Sequence, residues 1–169
     1  MTDHAPARPL AELMDGGTTV IVMTMIGDRH SSRPLTVAEV DGDRIAMLVD
    51  TTAEWSAAVA AGSAVVHVAL SDVRKNNYAS LNGAASLSRD AAEIERLWNP
   101  FAGAFFEGKD DPNLAVLHFD VSDGQYWDSP QGRLGSLVIL VRAAIGGDDK
   151  AGDHGPVATS RETAYRLGL

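Results

Sequence analysis

Thr18-Thr19-Val20-Ile21-Val22-Met23-Thr24-Met25-Ile26 is followed by Gly27-Asp28, and Arg33 to Val40 by Asp41-Gly42 and then Arg44 to Val49. The first run is rich in β-branched residues, which fit a pleated strand better than a helix. Gly27-Asp28 turns the chain, and Asp41-Gly42 is a tight hairpin signal. Three antiparallel strands in a meander are the expectation, and the rest of the chain is read outward from them.

On the N-terminal side, Leu10, Leu13 and Met14 stand at helical spacing between Pro9 and Asp15, and Gly16-Gly17 stops that helix. On the C-terminal side, Thr52 is a candidate N-cap for a short helix over Glu54 to Ala61, closed by Gly62. Val65 to Leu70 and Asn76 to Leu87 read as the fourth and fifth strands. Gly83 inside the fifth marks a bulge or a close approach by another backbone or a ligand. Asp90, with Glu93 at the capping-box position, starts a helix through Leu97 that Pro100 ends, and Phe101 to Phe106 suits one more helical turn. Leu114 to Val121 and Gly124 to Asp128 read as two strands around a Ser122-Asp123 turn. Leu134, Leu137, Val138, Val141 and Ile145 share one helical face. Six or seven short strands with helices at the edges give an α+β class, a small barrel with peripheral helices. Residues 1–146 form the domain, and residues 147–169, dominated by small and polar types, are expected to be a mobile tail.

Composition narrows the function. The 169 residues suit one domain, and no run approaches the ~20 apolar residues of a membrane span. Met-Thr-Asp-His lacks the basic start of a secretory leader, so a soluble cytoplasmic protein is expected. The chain has no cysteine, which removes disulfides, thiolate metal sites and cysteine nucleophiles. Its formal charge of −9 argues against nucleic acid as a partner.

No catalytic motif stands out. The five histidines are scattered one per segment without metal-ligand spacing. His67 and His118, on strands among apolar neighbours, read as structural or rim residues. Asp110-Asp111 reads as a solvated loop. No serine elbow, phosphate-binding loop or dinucleotide fingerprint is present. A chain without an assembled acid–base or nucleophilic set either performs no chemistry or takes it from a cofactor.

Several segments in order do carry a resemblance: His30-Ser31-Ser32-Arg33-Pro34-Leu35, Asp41-Gly42-Asp43-Arg44-Ile45, Asn77-Tyr78-Ala79-Ser80-Leu81-Asn82-Gly83-Ala84-Ala85, Ile94 to Pro100 with its Trp98-Asn99-Pro100, Gly108 to Pro112, and Gln125-Tyr126-Trp127-Asp128-Ser129-Pro130. Over about Leu10 to Gly146 the series resembles the general stress protein branch of the pyridoxamine-phosphate-oxidase-like superfamily. That resemblance implies a split antiparallel β-barrel forming a homodimer, with flavin mononucleotide, or alternatively the adenine dinucleotide, in the cleft between subunits. A small redox substrate or a nicotinamide nucleotide would be its other partner. It further implies that Arg33 helps neutralise the flavin phosphate and that Pro34 and Leu35 floor the ring site. Leu48, Val49 and Asp50 would supply backbone groups near the ring. Trp55 is weighed between ring contact and core packing, and Trp127 between closing the barrel or dimer seam and lining the partner's pocket. The family's serine and lysine after the third strand fall on about Ala53 and Trp55 here, so the lysine is missing. Either Arg29, Arg74, Lys75 or the amides near Thr52 replace it, or flavin binding is weak or lost and the chain is a degenerate barrel that serves only as a dimeric scaffold.

Overall fold

A computed structural model describes residues 7–128 and 153–159. Its strands are β1 (Thr19–Ile26), β2 (Arg29–Asp41), β3 (Arg44–Asp50), β4 (Ala64–Asp72), β5 (Asn77–Ser88), β6 (Leu114–Asp128) and β7 (Asp153–Pro156). Its helices are α1 (Leu10–Leu13), α2 (Glu54–Ala60) and α3 (Ala91–Leu97), with a 3-10 turn at Ala102–Ala104. The sheet order is β3-β2-β1-β4-β5-β6-β7, and β3 also pairs with β6. That second pairing closes six antiparallel strands into a barrel and leaves β7 as an addition on its rim.

The meander forms as its sequence suggests. Gly27 and Gly42 take φ of 62° and 56° at the first central position of two-residue turns, the conformation a glycine there adopts without strain. β2 begins at Arg29 rather than Arg33, because every residue of β1 from Thr19 to Ile26 finds a partner in it. Alternate residues of the strands point inward, so Val20, Val22, Ile45, Met47, Val68, Leu81, Leu117 and Phe119 fill the barrel. Leu10, Leu13 and Met14 join this core, and Asn77 ties α1 to β5 by donating Nδ2–H to the Leu13 carbonyl at 2.7 Å. A smaller cluster of Ala46, Ile94, Leu97, Leu114 and Val116 packs α3 against the outside of β3 and β6.

Three expectations are corrected. Thr52 does not cap α2: Ala53 holds that position, and the Thr52 N–H donates instead to Asp50 Oδ1 at 2.7 Å. Asp90 does cap α3, accepting from the Glu93 N–H at 2.9 Å, but the Glu93 carboxylate turns to His118 Nε2 at 3.1 Å. The last barrel strands are one continuous strand. Ser122 is an extra residue between the Asn82↔Asp123 and Gly83↔Val121 pairs, so its turn-like neighbourhood makes a bulge, not a hairpin. One edge of β6 follows β5 from Val116 to Asp128, while the other changes partner from β3 (Leu114 to Asp120) to β7 (Gln125 to Asp128).

The expected tail is the other correction, for its part from Asp153 to Thr159. β7 pairs with β6, and the Val157 N–H donates to the Gly124 carbonyl at 2.9 Å. Val157 is 1% exposed, and Arg8 exchanges backbone hydrogen bonds with Pro156 and Ala158. The segment is anchored by pairing as much as by its single large apolar side chain, so apolar periodicity could not reveal it. Truncation after Asp148 should therefore lower the melting temperature by about 4–8 °C, on the basis of ~2 kcal/mol for the lost Val157 burial. Differential scanning calorimetry measures it, and an unchanged midpoint would make the β7 pairing energetically idle. The helix expected over Leu134 to Ile145 lies outside the described residues.

Candidate functional site

A groove of about 370 Å³ opens between β2, the end of β3, the approach to α2 and the 3-10 turn. Arg33, Pro34 and Leu35 of β2 and Leu48, Val49 and Asp50 of β3 line it, with Trp55 from α2. Phe101, Phe105 and Phe106 form the wall contributed by the 3-10 turn. The structure thus brings together the sequence-selected residues Arg33, Pro34, Leu35, Leu48, Val49, Asp50 and Trp55. Trp127 is not among them: it stands on β6 between Tyr78 and His154, 42% exposed.

The local sequence explains the shape. Asp50 ends β3 and its carboxylate holds the Thr52 N–H, which turns the chain away from the sheet and leaves space beside it. That hydrogen bond keeps the Asp50 carboxyl below the ordinary carboxylate range. Trp98 ends α3, and Asn99 folds the following turn by accepting the Ala102 N–H at 3.1 Å. Phe101 and Phe105 are consequently held outward, ring centroids 5.5 Å apart, at 59% and 71% exposure. Sequence reading placed a helical turn here without assigning its phenylalanines to the site. A pair of aromatic residues four apart on so short a turn was the available signal.

Arg33 is more tethered than a cleft-facing cation would be. Its Nη2 donates to Thr24 Oγ1 at 3.0 Å and to Ser31 Oγ at 2.8 Å. The guanidinium lies over the Trp55 ring, 4.5 Å from the centroid. Nη1 is sealed from solvent without a hydrogen-bond partner among the described residues. Burial pushes the guanidinium below its ordinary pKa. Arg33→Ala would lose two hydrogen bonds from the charged guanidinium to hydroxyl oxygens, at roughly 1.5 kcal/mol each, and a cation–π contact of about 0.5–1 kcal/mol. Relief of the orphaned Nη1 offsets part of this, so a net loss of ~1 kcal/mol is expected in urea unfolding. An unchanged midpoint would mean that the tether holds nothing.

The cations proposed as substitutes for the missing lysine stand elsewhere or are paired. Arg29 is ion-paired with Glu54. Arg74 and Lys75 line a separate cleft with Asp15, Gly16 and Asp72. Arg89, unselected from the sequence, donates to Thr51 Oγ1 at 2.8 Å, next to the groove but not lining it. Among the described residues that line the groove, only Arg33 and Asp50 carry formal charge.

The histidines occupy other places. His67 lies in a chain on the outer sheet face, Ser80 Oγ to Nε2 at 3.2 Å and Nδ1 to Asn82 Oδ1 at 3.0 Å, with Asn82 Nδ2 donating to Asp123 at 2.8 Å. Asp111 spends its carboxylate on the N–H groups of Glu107 and Asn113. Among the described residues no group of three His, Cys, Asp or Glu side chains could hold a metal ion, and no helix is long and apolar enough to cross a membrane.

Comparison with known proteins bears on this groove. The profile of the family described as Pyridoxamine 5'-phosphate oxidase like matches residues 6–151. No curated protein matches at a significant level. Among solved structures, General Stress Protein 26 from Bacillus anthracis aligns at TM-score 0.61 and 18% identity, covering 69% of this chain and 88% of that one. The general stress FMN/FAD binding protein from Xanthomonas citri aligns at TM-score 0.56 and 32% identity, covering 66% of this chain and 80% of that one. A NimC/NimA family protein from Clostridium acetobutylicum aligns at TM-score 0.57 and 16% identity, covering 88% and 89%. The likenesses at lower identity speak for the fold alone.

Proposed function

Because the chain belongs to the pyridoxamine 5'-phosphate oxidase like family, we propose that its groove binds a flavin, flavin mononucleotide or alternatively the adenine dinucleotide, and that the protein is a flavin-dependent oxidoreductase of the general stress type. The observation that carries the reading is the apolar slot formed by Pro34, Leu35, Leu48 and Val49 under the three phenylalanines. Its volume, about 370 Å³, falls within the ~300–1,000 Å³ of small-molecule sites. The relative from Xanthomonas citri, described as an FMN/FAD binding protein, supports the same assignment.

A bound flavin would supply hydride or electron transfer through its N5. The chain's own residues would bind and shield. Leu35, Leu48 and Val49 would face a flat ring, backbone groups at the end of β3 would meet its polar edge, and Phe101 and Phe105 would exclude water. Arg33 would hold Trp55 in place at the end of the slot. Trp127 would act at the seam with a second subunit.

A second reading, a flavin carrier or redox sensor without turnover, is favoured by the lining itself. Among the described residues it contains no histidine, lysine or tyrosine to relay a proton. The visible spectrum of the purified protein tests the shared part of both readings. A flavin spectrum, native or after adding flavin, is expected, and a colourless protein that takes up none would sink both. Anaerobic reduction by a nicotinamide nucleotide then separates the oxidoreductase from the carrier. The same reading makes the protein a homodimer. It rests on the exposed Ile21, Val65 and Trp127 of the outer sheet face. Sedimentation equilibrium at low micromolar concentration should give twice the chain mass.

A further inference from the structure

We propose that the groove recognises the uncharged ring system of its ligand and draws little affinity from a terminal phosphate, so that riboflavin and flavin mononucleotide bind nearly alike. This deepens the flavin reading and rests on it.

The charged groups among the described lining residues offer a phosphate little. A guanidinium holds a phosphate best through two parallel N–H donors. Arg33 does not offer that fork. The two Nη2 hydrogens go to Thr24 and Ser31, Nη1 is sealed from solvent, and Trp55 covers one face of the plane. Arg29, the nearest candidate substitute along the chain, is neutralised by Glu54. Asp50 is the other charged group in the lining, and a carboxylate there repels a phosphate dianion. The lining is therefore neutral as a sum, within a chain of formal charge −9 whose field disfavours anions. The rest of the described lining is mostly apolar, with Pro34, Leu35, Leu48, Val49, Phe101 and Phe105 as its walls and Thr36, Thr52 and Asn99 as its uncharged polar side chains. Such walls reward a flat uncharged surface and are indifferent to a phosphate beyond it.

The contrast with a phosphate-anchored site is large. One hydrogen bond to a charged group is commonly worth about tenfold or more in affinity. Titration of the full-length protein with riboflavin and with flavin mononucleotide, followed by fluorescence quenching at low and high salt, reads the difference. Dissociation constants within about threefold of each other, nearly independent of salt, are expected. Asp50→Asn keeps an acceptor for the Thr52 N–H and should improve flavin mononucleotide binding relative to riboflavin by about threefold. Arg33→Ala should change both affinities by the same factor. A tenfold or greater preference for flavin mononucleotide that falls with salt, or an Arg33→Ala loss confined to it, would overturn the proposal and leave the flavin reading standing. Failure of both ligands to bind a protein that is folded by circular dichroism would overturn the flavin reading and the proposal together.

Discussion

Phe119→Ala is expected to remove about 3–5 kcal/mol of stability, the usual cost of emptying an aromatic site in a packed core. Phe119 is 0% exposed, on the strand that closes the barrel, paired with Ile45 on one side and Ala85 on the other. A barrel cannot collapse around a void as a helix pair can, because the ladders on both sides fix the strand spacing. The measured cost should therefore lie toward the upper end. A melting temperature lower by about 10 °C or more follows for a domain of this size. A drop of only one or two degrees would show that the interior repacks freely.

Gly83→Ala should cost a comparable ~3 kcal/mol by the opposite route, overfilling instead of emptying. A β-carbon at this position would lie 2.2 Å from the Asp120 carbonyl oxygen, 2.9 Å from the Asp120 carbonyl carbon and 3.0 Å from Phe119 Cζ. The Phe119 ring could yield, but the Asp120 backbone is held in the ladder. Relief would require β5 and β6 to separate at the bulge. Phe119→Leu, which withdraws the ring, should accordingly fail to rescue Gly83→Ala. Urea unfolding of the two single variants and the double variant decides which contact dominates. Full rescue would assign the clash to the ring and not to the backbone.

Gly83 also shows what the sequence could disclose. A glycine in the middle of an otherwise good strand is a local anomaly with few causes, and close backbone approach was one of them. The meander was legible for similar reasons, since Gly27 and Gly42 are turn residues at the ends of β-branched runs. Ser122-Asp123-Gly124 carries equally strong turn chemistry yet sits inside a strand. There the change of partner from β3 to β7 decides, a tertiary fact that leaves no local mark. β7 itself was hidden because backbone pairing holds it, through residues such as Gly155 and Pro156 whose types argue against a strand. In the groove, the β2 and β3 residues came from the family resemblance and the structure gathers them. The tethering of Arg33 could not be foreseen, because Thr24, Ser31 and Trp55 become its neighbours only after β1, β2 and α2 have assembled.

The seam between β3 and β6 sets the order of events during folding. The Arg44–Asp120 fork, Nε to Oδ1 at 2.6 Å, joins residues 76 positions apart, whereas the β1–β2 and β2–β3 hairpins close over two residues. Loop-closure entropy must be met before so distant a contact returns anything, so ring closure is expected to be the slow step of folding. Conservative truncations along the seam, such as Ile45→Val or Leu117→Ala, should then appear mainly as slower refolding. The same kind of change in the first hairpin, Val22→Ala for example, should slow refolding as well, because a hairpin formed before ring closure is already present in the transition state. Until that ring closes, the edges of β3 and β6 stand open to strands of other chains, and association during refolding should be governed by how long this interval lasts.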